Sequence, residues 1–578
     1  MPECKEISIR KLTSTQNVNG GEAILLSFLE EGVDTLFGYP GGAIMPFYDT
    51  LHQYDGCFRH ILARHEQGAI HAAQGYARVT RKTGVCLTTS GPGATNILTG
   101  LADAYLDSTP LVVVTGQVVS SLVGTDAFQE TDILTMSMAV TKWNTQIGDA
   151  KDIPAVMAKA FYIANSGRPG PVLIDFPKDV FSTKFVFNYS PCTSLKTYKP
   201  NYHPAPELVD KAARWINTAN KPLILFGQGV VLSKAEEELK MFVERTGMPA
   251  AATLLGLSAL PASHPLYMGM LGMHGNYAPN LMTGETDLVI AIGMRFDDRV
   301  TGKVDTYLKQ SRIIHVDIDP TELGKNIDTD LEIEADAKSF LKSILPLLSK
   351  NEFPEWIDQF KAKLQEEKKT VIDGDIMPSK GKIQMGEVIR KVSEIADTGT
   401  VVITDVGQHQ MKVARYYPLN TPRTLVTSGG LGTMGFGLPA AVGAQLGKPD
   451  KTVVLFVGDG GLQMTMQELM TISQEKLPVK VVVLNNGFLG MVRQWQELFF
   501  ESRYASTPIQ SPDFVKLAEA CGVEAGKVYQ REDLDPALKQ MLDYDGAYLL
   551  EVMVEKEENV FPMVPPGAAV TDMILGDS

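Results

Sequence analysis

Short apolar runs rich in β-branched residues recur along the 578-residue chain, and most of them end in glycine or a polar turn. Their hydrophobicity is continuous rather than alternating, which indicates strands buried on both faces, as in a parallel sheet covered by helices. Ligands bind beyond the carboxyl ends of such strands. The pattern predicts an α/β fold of doubly wound parallel sheets. The runs are LVVVTG (111–116), PVLIDFP (171–177), PLILFGQG (222–229), DLVIAIG (287–293), RIIHVDID (312–319), TVVITDVG (400–407), TVVLFVGDG (452–460), VKVVVLNNG (479–487) and AYLLEVMV (547–554).

Two polar stretches without periodicity, 189–207 and 364–382, are typical of linkers. The chain is also longer than one hydrophobic core usually serves. Three α/β domains are therefore predicted at 16–188, 200–365 and 383–555, followed by a C-terminal tail at 556–578. The tail contains FPMVPPGAA, which is too rich in proline for a helix or a central strand, so we expect it to lie across another part of the molecule.

Charge and cysteine content limit the classes of protein and partner. The net charge is −15, from 53 basic and 68 acidic residues spread along the chain, which argues against a nucleic-acid or anionic-membrane surface. No apolar run approaches the ~20 residues of a membrane span, and the opening residues make a poor signal or transit peptide. Five cysteines without a CxxC pair predict reduced thiols. Together these features predict a cytoplasmic protein with no nucleic-acid and no membrane partner.

The stretch VVLFVGDGG (453–461) ends a predicted strand on Asp459 with glycines on both sides. The next strand ends 27 residues later at Asn486. A carboxylate and an amide oxygen suit Mg²⁺ when a backbone carbonyl, water and phosphate oxygens complete the octahedron. The glycines would let backbone N–H groups reach a diphosphate at the start of a helix. This spacing resembles the signature of thiamine-diphosphate enzymes.

Two alternatives remain for this region. The glycines and asparagines could belong to two unrelated turns. A dinucleotide site is the other alternative, because Gly430, Gly432 and Gly435 satisfy G-x-G-x-x-G and Asp459 follows 24 residues after the last of them.

A thiamine cofactor also needs an acid beside its aminopyrimidine ring, in a site poor in water. RHEQGAIHAAQGYAR (64–78) offers Glu66 on a helix of otherwise mostly small residues. A zinc-protease helix is disfavoured, because His65 and His71 are six residues apart rather than four. A solvated helix glutamate is the alternative for Glu66, and only the thiamine motif favours the catalytic role.

Taken together, the motifs of nearly the whole chain resemble the catalytic large subunits of acetolactate synthase, also called acetohydroxyacid synthase. These are thiamine-diphosphate enzymes of branched-chain amino-acid synthesis. The motifs that carry the resemblance are GYPGGA, HEQGA, TSGPGATN, GTDAFQE, GRPGPVLIDFPKD, MRFDDRVTG, HVDIDP, GQHQM, GLPAA and LNNGFLGMVRQWQ.

The resemblance implies roles by position. Glu66 would contact the aminopyrimidine ring nitrogen, and Met434 would be the apolar wedge that bends the cofactor. The rest of the aminopyrimidine side would be lined by Tyr39, Pro40, Gly42, Pro92 and Asn96. The other half of the cofactor would be held by Val406, Gly407, Gln408, His409, Gly432, Gly458, Gly460, Gly461, Gly490 and Met491. Mg²⁺ would be bound by Asp459, Asn486 and the carbonyl of Phe488.

Substrate and flavin residues follow in the same way. Gly42, Gln129 and Lys178 would lie near the reacting centre. Phe128 and Trp495 would contact substrate, with Trp495 favouring 2-ketobutyrate as the second substrate. The middle block resembles the FAD domain of the family, although FGQG alone is half of a dinucleotide fingerprint. Its FAD contacts would be Arg168, Gly227, Gly229, Thr253, Leu254, Met273, His274, Arg295, Asp317, Asp319 and Asp336.

The implied reaction decarboxylates pyruvate and condenses the resulting hydroxyethyl carbanion with a second 2-ketoacid, pyruvate or 2-ketobutyrate. The implied cofactors are thiamine diphosphate, Mg²⁺ and FAD, the last structural because the reaction has no net redox step. The implied assembly is a homodimer or tetramer with the active site between subunits, together with a separate small regulatory subunit. The tail would cover the active site.

Two positions depart from the family pattern. Lys412 follows GQHQM where an aromatic residue is common, and Val119 lies in the region that inhibitors of the family occupy, so inhibitor sensitivity is in doubt. Four other functions stay open at this point: an FAD-containing pyruvate oxidase, a catabolic FAD-free acetolactate synthase, a non-catalytic subunit and a nucleotide-dependent dehydrogenase.

Overall fold

Three six-stranded sheets organise the chain in the computed structural model, which describes residues 17–576. Within each of the three, every strand pairing is parallel. The predicted α/β fold with three doubly wound parallel sheets is confirmed.

The first sheet has the strand order β3-β2-β4-β5-β7-β6, and β1 and β8 form a separate antiparallel pair. The strands are β1 (Asn17–Asn19), β2 (Thr35–Gly38), β3 (Arg59–Leu62), β4 (Gly84–Thr88), β5 (Leu111–Gln117), β6 (Trp143–Gln146), β7 (Pro171–Pro177) and β8 (Lys184–Val186). The helices are α1 (Gly20–Glu30), α2 (Met45–His52), α3 (Glu66–Thr80), α4 (Pro92–Thr95), α5 (Leu98–Leu106), α6 (Ile133–Ser137), α7 (Ile153–Asn165) and α8 (Lys178–Ser182).

The second sheet has the order β11-β10-β9-β12-β13-β14. Its strands are β9 (Pro222–Phe226), β10 (Ala250–Ala252), β11 (Tyr267–Met270), β12 (Leu288–Ile292), β13 (Arg312–Asp317) and β14 (Leu331–Glu334). The helices are α9 (Pro206–Thr218), α10 (Gln228–Leu232), α11 (Glu236–Thr246), α12 (Tyr277–Met282), α13 (Asp298–Thr301), α14 (Ala337–Ile344), α15 (Pro354–Glu367) and α16 (Asp373–Ile376).

The third sheet has the order β16-β15-β17-β18-β20-β19. Its strands are β15 (Val401–Thr404), β16 (Leu425–Val426), β17 (Val453–Gly458), β18 (Lys480–Asn485), β19 (Glu524–Val528) and β20 (Tyr548–Met553). The helices are α17 (Met385–Ile395), α18 (Gln408–Tyr416), α19 (Gly437–Gly447), α20 (Asp459–Thr465), α21 (Leu469–Gln474), α22 (Gly490–Phe499), α23 (Phe514–Ala520) and α24 (Leu534–Asp543).

Helices α3 and α19 join the first and third sheets at nearly touching backbones. A Cβ added at Gly75 would lie 2.1 Å from the carbonyl oxygen of Ala440, and one added at Gly443 would lie 1.8 Å from that of Ala72. Only glycine leaves room for this approach. The small residues of α3 therefore allow close helix packing. One cluster of buried apolar side chains continues from the first sheet into the third.

The stretch 364–382, predicted to be a linker, is instead helical through Ile376. Its charged composition suggested exposure, but Glu367 is fully buried and forms an ion pair with Arg415. Glu367 also accepts hydrogen bonds from Asn276 at 3.1 Å and from the backbone N–H of Tyr277 at 2.8 Å. Partners that are distant in sequence therefore order a segment that looks like a loop.

The tail lies across the second and third domains, as its composition predicts. Three residues on one face of α18, at spacings i, i+4 and i+7, hold it. Gln408 donates to the carbonyl of Glu558 at 2.8 Å, the Lys412 ammonium lies 2.9 Å from the Glu558 carboxylate, and Arg415 donates to the carbonyl of Phe561. The side chains of Val564, Val570 and Met573 then pack into the apolar cluster of the second domain.

Two findings bear on the composition-based expectations. Cys86, Cys192 and Cys521 carry free thiols, whereas Cys57 is disulfide-bonded, so the prediction of reduced thiols is wrong at Cys57. Spacing along a chain does not report which cysteines the fold brings together. Between residues 17 and 576, none of the helices combines the length and the apolarity that a bilayer crossing requires.

Candidate active site

The carboxyl ends of the first-sheet strands carry one group of predicted site residues, here called the first-domain cluster. Its members are Tyr39, Pro40 and Gly42 after β2, Glu66 at the start of α3 after β3, Pro92 and Asn96 after β4, Phe128 and Gln129 in the loop after β5, and Lys178 after β7. Parallel strands bring these loops to one edge of the sheet. Most of the cluster is open to solvent, including Tyr39, Gly42, Pro92, Gln129 and Lys178.

Glu66 and Asn96, which were predicted from separate motifs, are in direct contact. The Asn96 amide donates to Glu66 Oε2 at 3.0 Å. A Cβ added at Gly93 would lie 3.3 Å from Glu66 Oε1, so the glycine keeps the second carboxylate oxygen accessible. The side chain of His65 caps the helix by accepting the backbone N–H of Gln67 at 3.1 Å. Glu66 is only partly buried within the single chain.

The loop after β5 presents its apolar side chain outward. Phe128 is 88% exposed, and Gln129 has a left-handed backbone with φ of 61°. Glu130 shapes the loop, because its carboxylate accepts the backbone N–H groups of Thr125 at 3.2 Å and Ala127 at 3.0 Å. A Cβ added at Gly91 would lie 2.9 Å from the carbonyl oxygen of Gln129, which places that backbone against the Pro92 turn.

The third-sheet strand ends form a second group, the diphosphate cradle, at 406–409, 458–461 and 486–491. Asp459 is 1% exposed and accepts a hydrogen bond from the Ser511 hydroxyl at 3.1 Å. Burial raises the pKa of Asp459 to about 6, and hydrogen bonds that include the backbone N–H of Asn486 oppose this shift. A Cβ added at Gly490 would lie 2.2 Å from Gln408 Oε1 and 2.8 Å from the Asn486 amide nitrogen. Asp459 and Asn486 are thus brought together, as predicted from their spacing.

His409 and the glycines give the cradle room for oxygen ligands. The buried Nε2 of His409 has no hydrogen-bond partner among the described residues. Burial lowers the pKa of His409 to about 4, so the ring is neutral near pH 7. A Cβ at Gly458 would come within 3.3 Å of this ring, and one at Gly460 would lie 3.7 Å from the methyl of Met434. The glycine backbone faces the Cε1–Nδ1 edge of the ring, and bare backbone of this kind suits a diphosphate.

The oxygen groups of the diphosphate cradle also fit a magnesium ion that binds together with a diphosphate. Between residues 17 and 576 there is no cluster of three or more His, Cys, Asp or Glu side chains able to hold a metal by themselves. The predicted ligands would be the Asp459 carboxylate, the Asn486 amide oxygen and the Phe488 carbonyl. The Asn486 oxygen also accepts the backbone N–H of Phe488 at 3.1 Å. Mg²⁺ typically combines one or two carboxylates with substrate phosphates and water. The residues present therefore suit a metal held jointly with a diphosphate.

The glycine loop 429–435 suits the dinucleotide alternative poorly, because most of its backbone N–H groups already have partners within the protein. Gly429 and Gly430 donate to Asp107 at 2.9 and 2.6 Å. Gly435 and Gly437 donate to Asp405 at 3.1 and 2.8 Å. A pyrophosphate at the start of α19 would need these N–H groups.

A cavity of about 920 Å³ lies where residues of all three domains meet. Its lining includes the predicted flavin residues Arg168, Gly229, Thr253, Leu254, Met273, His274, Arg295, Asp317 and Asp336, and also Val406, Gly407, Gly432, Met434, Met491 and Trp495 of the third domain. Two other predicted residues lie beside it. A Cβ at Gly227 would lie 2.5 Å from the carbonyl oxygen of Gly293, and Asp319 lies 3.3 Å from Arg168.

The second-domain half of the cavity has features of a flavin site. Gly229 and Gly293 approach so closely that a Cβ on Gly229 would lie 2.5 Å from the Gly293 Cα, leaving bare backbone at the ends of β9 and β12. Burial raises the pKa of Asp317 to about 7 at the end of β13. The buried Nδ1 of His274 has no partner among the described residues. These groups fit the hydroxyl and phosphate groups of a dinucleotide.

Within one chain the predicted residues form two groups rather than one site. The first-domain cluster contributes none of the residues lining the large cavity, whereas the diphosphate cradle contributes several. The two halves that a thiamine cofactor would bridge therefore open onto different parts of a single chain.

Several residues that shape the site had no sequence motif. Asp405 and Asp107 fix the glycine loop, and Glu468 contacts the backbone of Arg64 at the start of α3. Asp405 lies at the end of a predicted strand, and this position could have marked it as a site residue. No local sequence pattern marks Asp107 or Glu468, since the backbone groups that they hold are hundreds of residues away.

Comparisons with known proteins identify the family of each domain. Three family profiles match consecutive segments: the thiamine pyrophosphate enzyme N-terminal TPP binding domain at residues 18–136, the central domain at 209–344 and the C-terminal TPP binding domain at 405–552. The two TPP-binding profiles match the domains that carry the first-domain cluster and the diphosphate cradle.

Similar proteins extend over nearly the whole chain. Acetolactate synthase isozyme 2 large subunit of Escherichia coli is 46% identical over 96% of this chain and 99% of its own length. The acetolactate synthase large subunit of Lactococcus lactis is 44% identical over 99% and 97%, and acetolactate synthase 2 of Nicotiana tabacum is 44% identical over 96% and 85%. The chain therefore belongs to the acetolactate synthase large-subunit family of thiamine pyrophosphate enzymes.

Proposed function

We propose that this chain is the catalytic subunit of an acetolactate synthase, condensing pyruvate with a second 2-ketoacid. The observation that supports this most directly is the diphosphate cradle, where Asp459 and Asn486 meet at the ends of neighbouring strands. Val406, Gly407 and Met491 of the cradle line the large cavity together with Trp495. The second substrate is pyruvate or 2-ketobutyrate, with Trp495 in the pocket wall.

Each residue has a physical task in this reaction. Thiamine diphosphate, when bound, supplies a nucleophilic carbon and an electron sink for decarboxylation. Glu66 exchanges a proton with the aminopyrimidine ring, and Asn96 orients the Glu66 carboxylate through their 3.0 Å hydrogen bond. Met434 positions the cofactor, and Gly42, Gln129 and Lys178 lie near the substrate carbonyl. The tail helps to exclude water, which would divert the reaction to a simple aldehyde.

Mg²⁺ and FAD belong to the same proposal. Asp459, Asn486 and the Phe488 carbonyl would bind Mg²⁺ and neutralise the diphosphate. Residues of the second domain, with Arg168 of the first, would hold FAD. The flavin would be structural, because joining two ketoacids with loss of CO₂ changes no net oxidation state.

We also propose that the active site forms between two subunits of a homodimer or tetramer. The first-domain cluster and the diphosphate cradle open separately on one chain. Phe128 of the cluster is 88% exposed, and the same segment also exposes Leu122, Val123, Met136 and Met138. Several exposed apolar side chains in one segment are typical of an interface, whereas a single one would not be. A small regulatory subunit and a cytoplasmic location stay predictions.

Product analysis tests this function. The chain is stripped of FAD and supplied with pyruvate, thiamine diphosphate and Mg²⁺, with and without added FAD, while acetolactate and O₂ are followed. We expect acetolactate only with FAD and without O₂ uptake. Acetate or acetyl phosphate with O₂ consumption would identify a pyruvate oxidase instead. Acetolactate without FAD would indicate the catabolic enzyme and remove the flavin assignments.

Asp459→Asn is expected to raise the Mg²⁺ concentration needed for half-maximal activation by at least about 100-fold, more than partners outside the metal shell usually cost. Asparagine keeps the shape but removes the one carboxylate in the donor set. Calorimetric titration of Mg²⁺ with thiamine diphosphate measures the effect. Asp450→Asn, an exposed carboxylate of the same domain, is the control. An unchanged Mg²⁺ dependence of Asp459→Asn would show that Asp459 is not a Mg²⁺ ligand.

A further inference from the structure

Glu468 of the third domain is buried against the first turn of α3, the helix that begins at Glu66. Its side chain is almost fully buried, with 1% exposure for the residue. Its two carboxylate oxygens accept the backbone N–H of Arg64 at 3.0 and 3.2 Å, and the Thr471 hydroxyl donates to it at 2.6 Å. Glu468 therefore caps, from another domain, the turn that leads into α3.

The contact is specific to this turn. A Cβ added at Gly68 would lie 2.3 Å from Glu468 Oε1, so the carboxylate occupies the space that any larger residue at 68 would need. The guanidinium of Arg64 points elsewhere, donating to the carbonyl of Leu62 at 2.7 Å and to Gln474 at 2.8 Å. The negative charge is thus stabilised mainly by backbone N–H groups and the positive end of the helix.

We propose that Glu468 is a positioning residue for Glu66. Arg64 and Gly68, which Glu468 holds, lie on either side of Glu66 in the chain. Fixing this turn sets the direction in which the Glu66 carboxylate meets Asn96 and the aminopyrimidine ring. The inference rests on the proposed catalytic role of Glu66, and it assigns to the third domain a task beyond holding the diphosphate.

A purely structural role would give a different pattern of effects. Domain packing along α3 is already secured further down the helix, where Gly75 meets Ala440 and Gly443 meets Ala72. Removing Glu468 therefore loosens only the first turn. The effect is expected in the catalytic step and not in domain association or cofactor affinity.

Three variants test the proposal. Glu468→Ala is expected to lower kcat about 100-fold, the size of effect that a misplacement of 1 Å can produce. KM for pyruvate and the affinity for thiamine diphosphate should stay within about twofold, the split expected when only transition-state interactions are lost. Glu468→Gln should recover to within about tenfold of the wild type, because its amide oxygen still accepts the Arg64 N–H. Glu475→Ala is the matched control, since Glu475 bridges the same two domains through exposed Arg59 at 3.1 Å.

Two readouts do not depend on turnover. Amide hydrogen exchange of a peptide covering 62–68, measured without cofactor, should be faster in Glu468→Ala and unchanged in Glu475→Ala. Exchange of the C2 proton of bound thiamine diphosphate should slow in parallel with kcat. These readouts keep their meaning even if the wild type forms no acetolactate, an outcome that would refute the proposed function alone.

Other outcomes would overturn the positioning role. Glu468→Ala with wild-type kcat and C2 exchange would show that Glu66 needs no such support. A loss confined to thiamine diphosphate affinity, with unchanged amide exchange at 62–68, would show that Glu468 serves the cofactor cradle instead.

Discussion

Glu66→Gln is expected to reduce acetolactate formation about a thousandfold, within the range that a single proton-transferring group contributes. Glutamine has the same length and can still accept the Asn96 N–H that now lies 3.0 Å from the carboxylate. It cannot take and return a proton at the aminopyrimidine ring. The loss should therefore appear in kcat, with little change in the affinity for thiamine diphosphate.

Steady-state kinetics with a calorimetric titration of the cofactor makes this measurement. Glu66→Asp keeps the acid but shortens its reach, so intermediate activity is expected. Glu475→Gln makes the same chemical change at the surface pair with Arg59 and should behave like the wild type. A Glu66→Gln enzyme with near-normal turnover would remove Glu66 from the mechanism and restore its interpretation as an ordinary helix residue.

Lys412→Met is expected to destabilise α18 and the docked tail by about 3–5 kcal/mol, the usual cost of removing one partner from a buried ion pair. Lys412 is 1% exposed, lies 2.9 Å from Glu558 and also pairs with Asp375. The variant would leave Glu558, whose side chain is 4% exposed, buried without this cation. Native-state hydrogen exchange of the α18 amides measures the local stability.

The pH dependence of this defect has a definite sign. Burial already raises the pKa of Glu558 above its ordinary value of 4.5, and Lys412 opposes that shift. Without Lys412 the folded-state pKa rises further, so the penalty is complete above that value and disappears as the pH falls towards 4.5. The Lys412→Met defect should therefore shrink on acidification.

Two companion variants separate this explanation from simple loss of packing. Lys412→Met with Glu558→Gln removes both charges and should recover much of the lost stability. Lys391→Met breaks the more exposed pair with Asp535 and should cost no more than about 1 kcal/mol. A double variant as unstable as Lys412→Met alone would contradict the ion-pair explanation.

Local pattern was enough to predict much of the fold. The apolar run 171–177 is the strand Pro171–Pro177, and the runs 452–460 and 479–487 contain β17 (Val453–Gly458) and β18 (Lys480–Asn485). Continuous hydrophobicity reports burial on both faces, which is a local property. The meeting of Asp459 with Asn486 was predictable for a related reason, because both follow strands that are neighbours in one parallel sheet.

Long-range pairing was beyond the sequence. Glu367 belongs to a charged stretch that looks like a linker, but it is buried in the fold and paired with Arg415, Asn276 and Tyr277. Lys412 departs from the family pattern in the sequence, but its two carboxylate partners lie 37 and 146 positions away in the chain. A charged residue gives no local sign that the fold will bury it with its counter-ion.

The contact between Glu468 and Arg64 also has a consequence for how two catalytic centres of the proposed dimer communicate. The segment 459–468 begins at Asp459, the proposed Mg²⁺ ligand of one centre. It ends at Glu468, which contacts the turn before Glu66, the proposed acid of the other centre. Binding of thiamine diphosphate at the first centre would then change the free energy of binding at the second. Thermodynamic reciprocity requires that binding at the second centre affect the first by the same amount. Occupancy of such a pair would not be independent, and a Hill coefficient for thiamine diphosphate different from one would express the linkage.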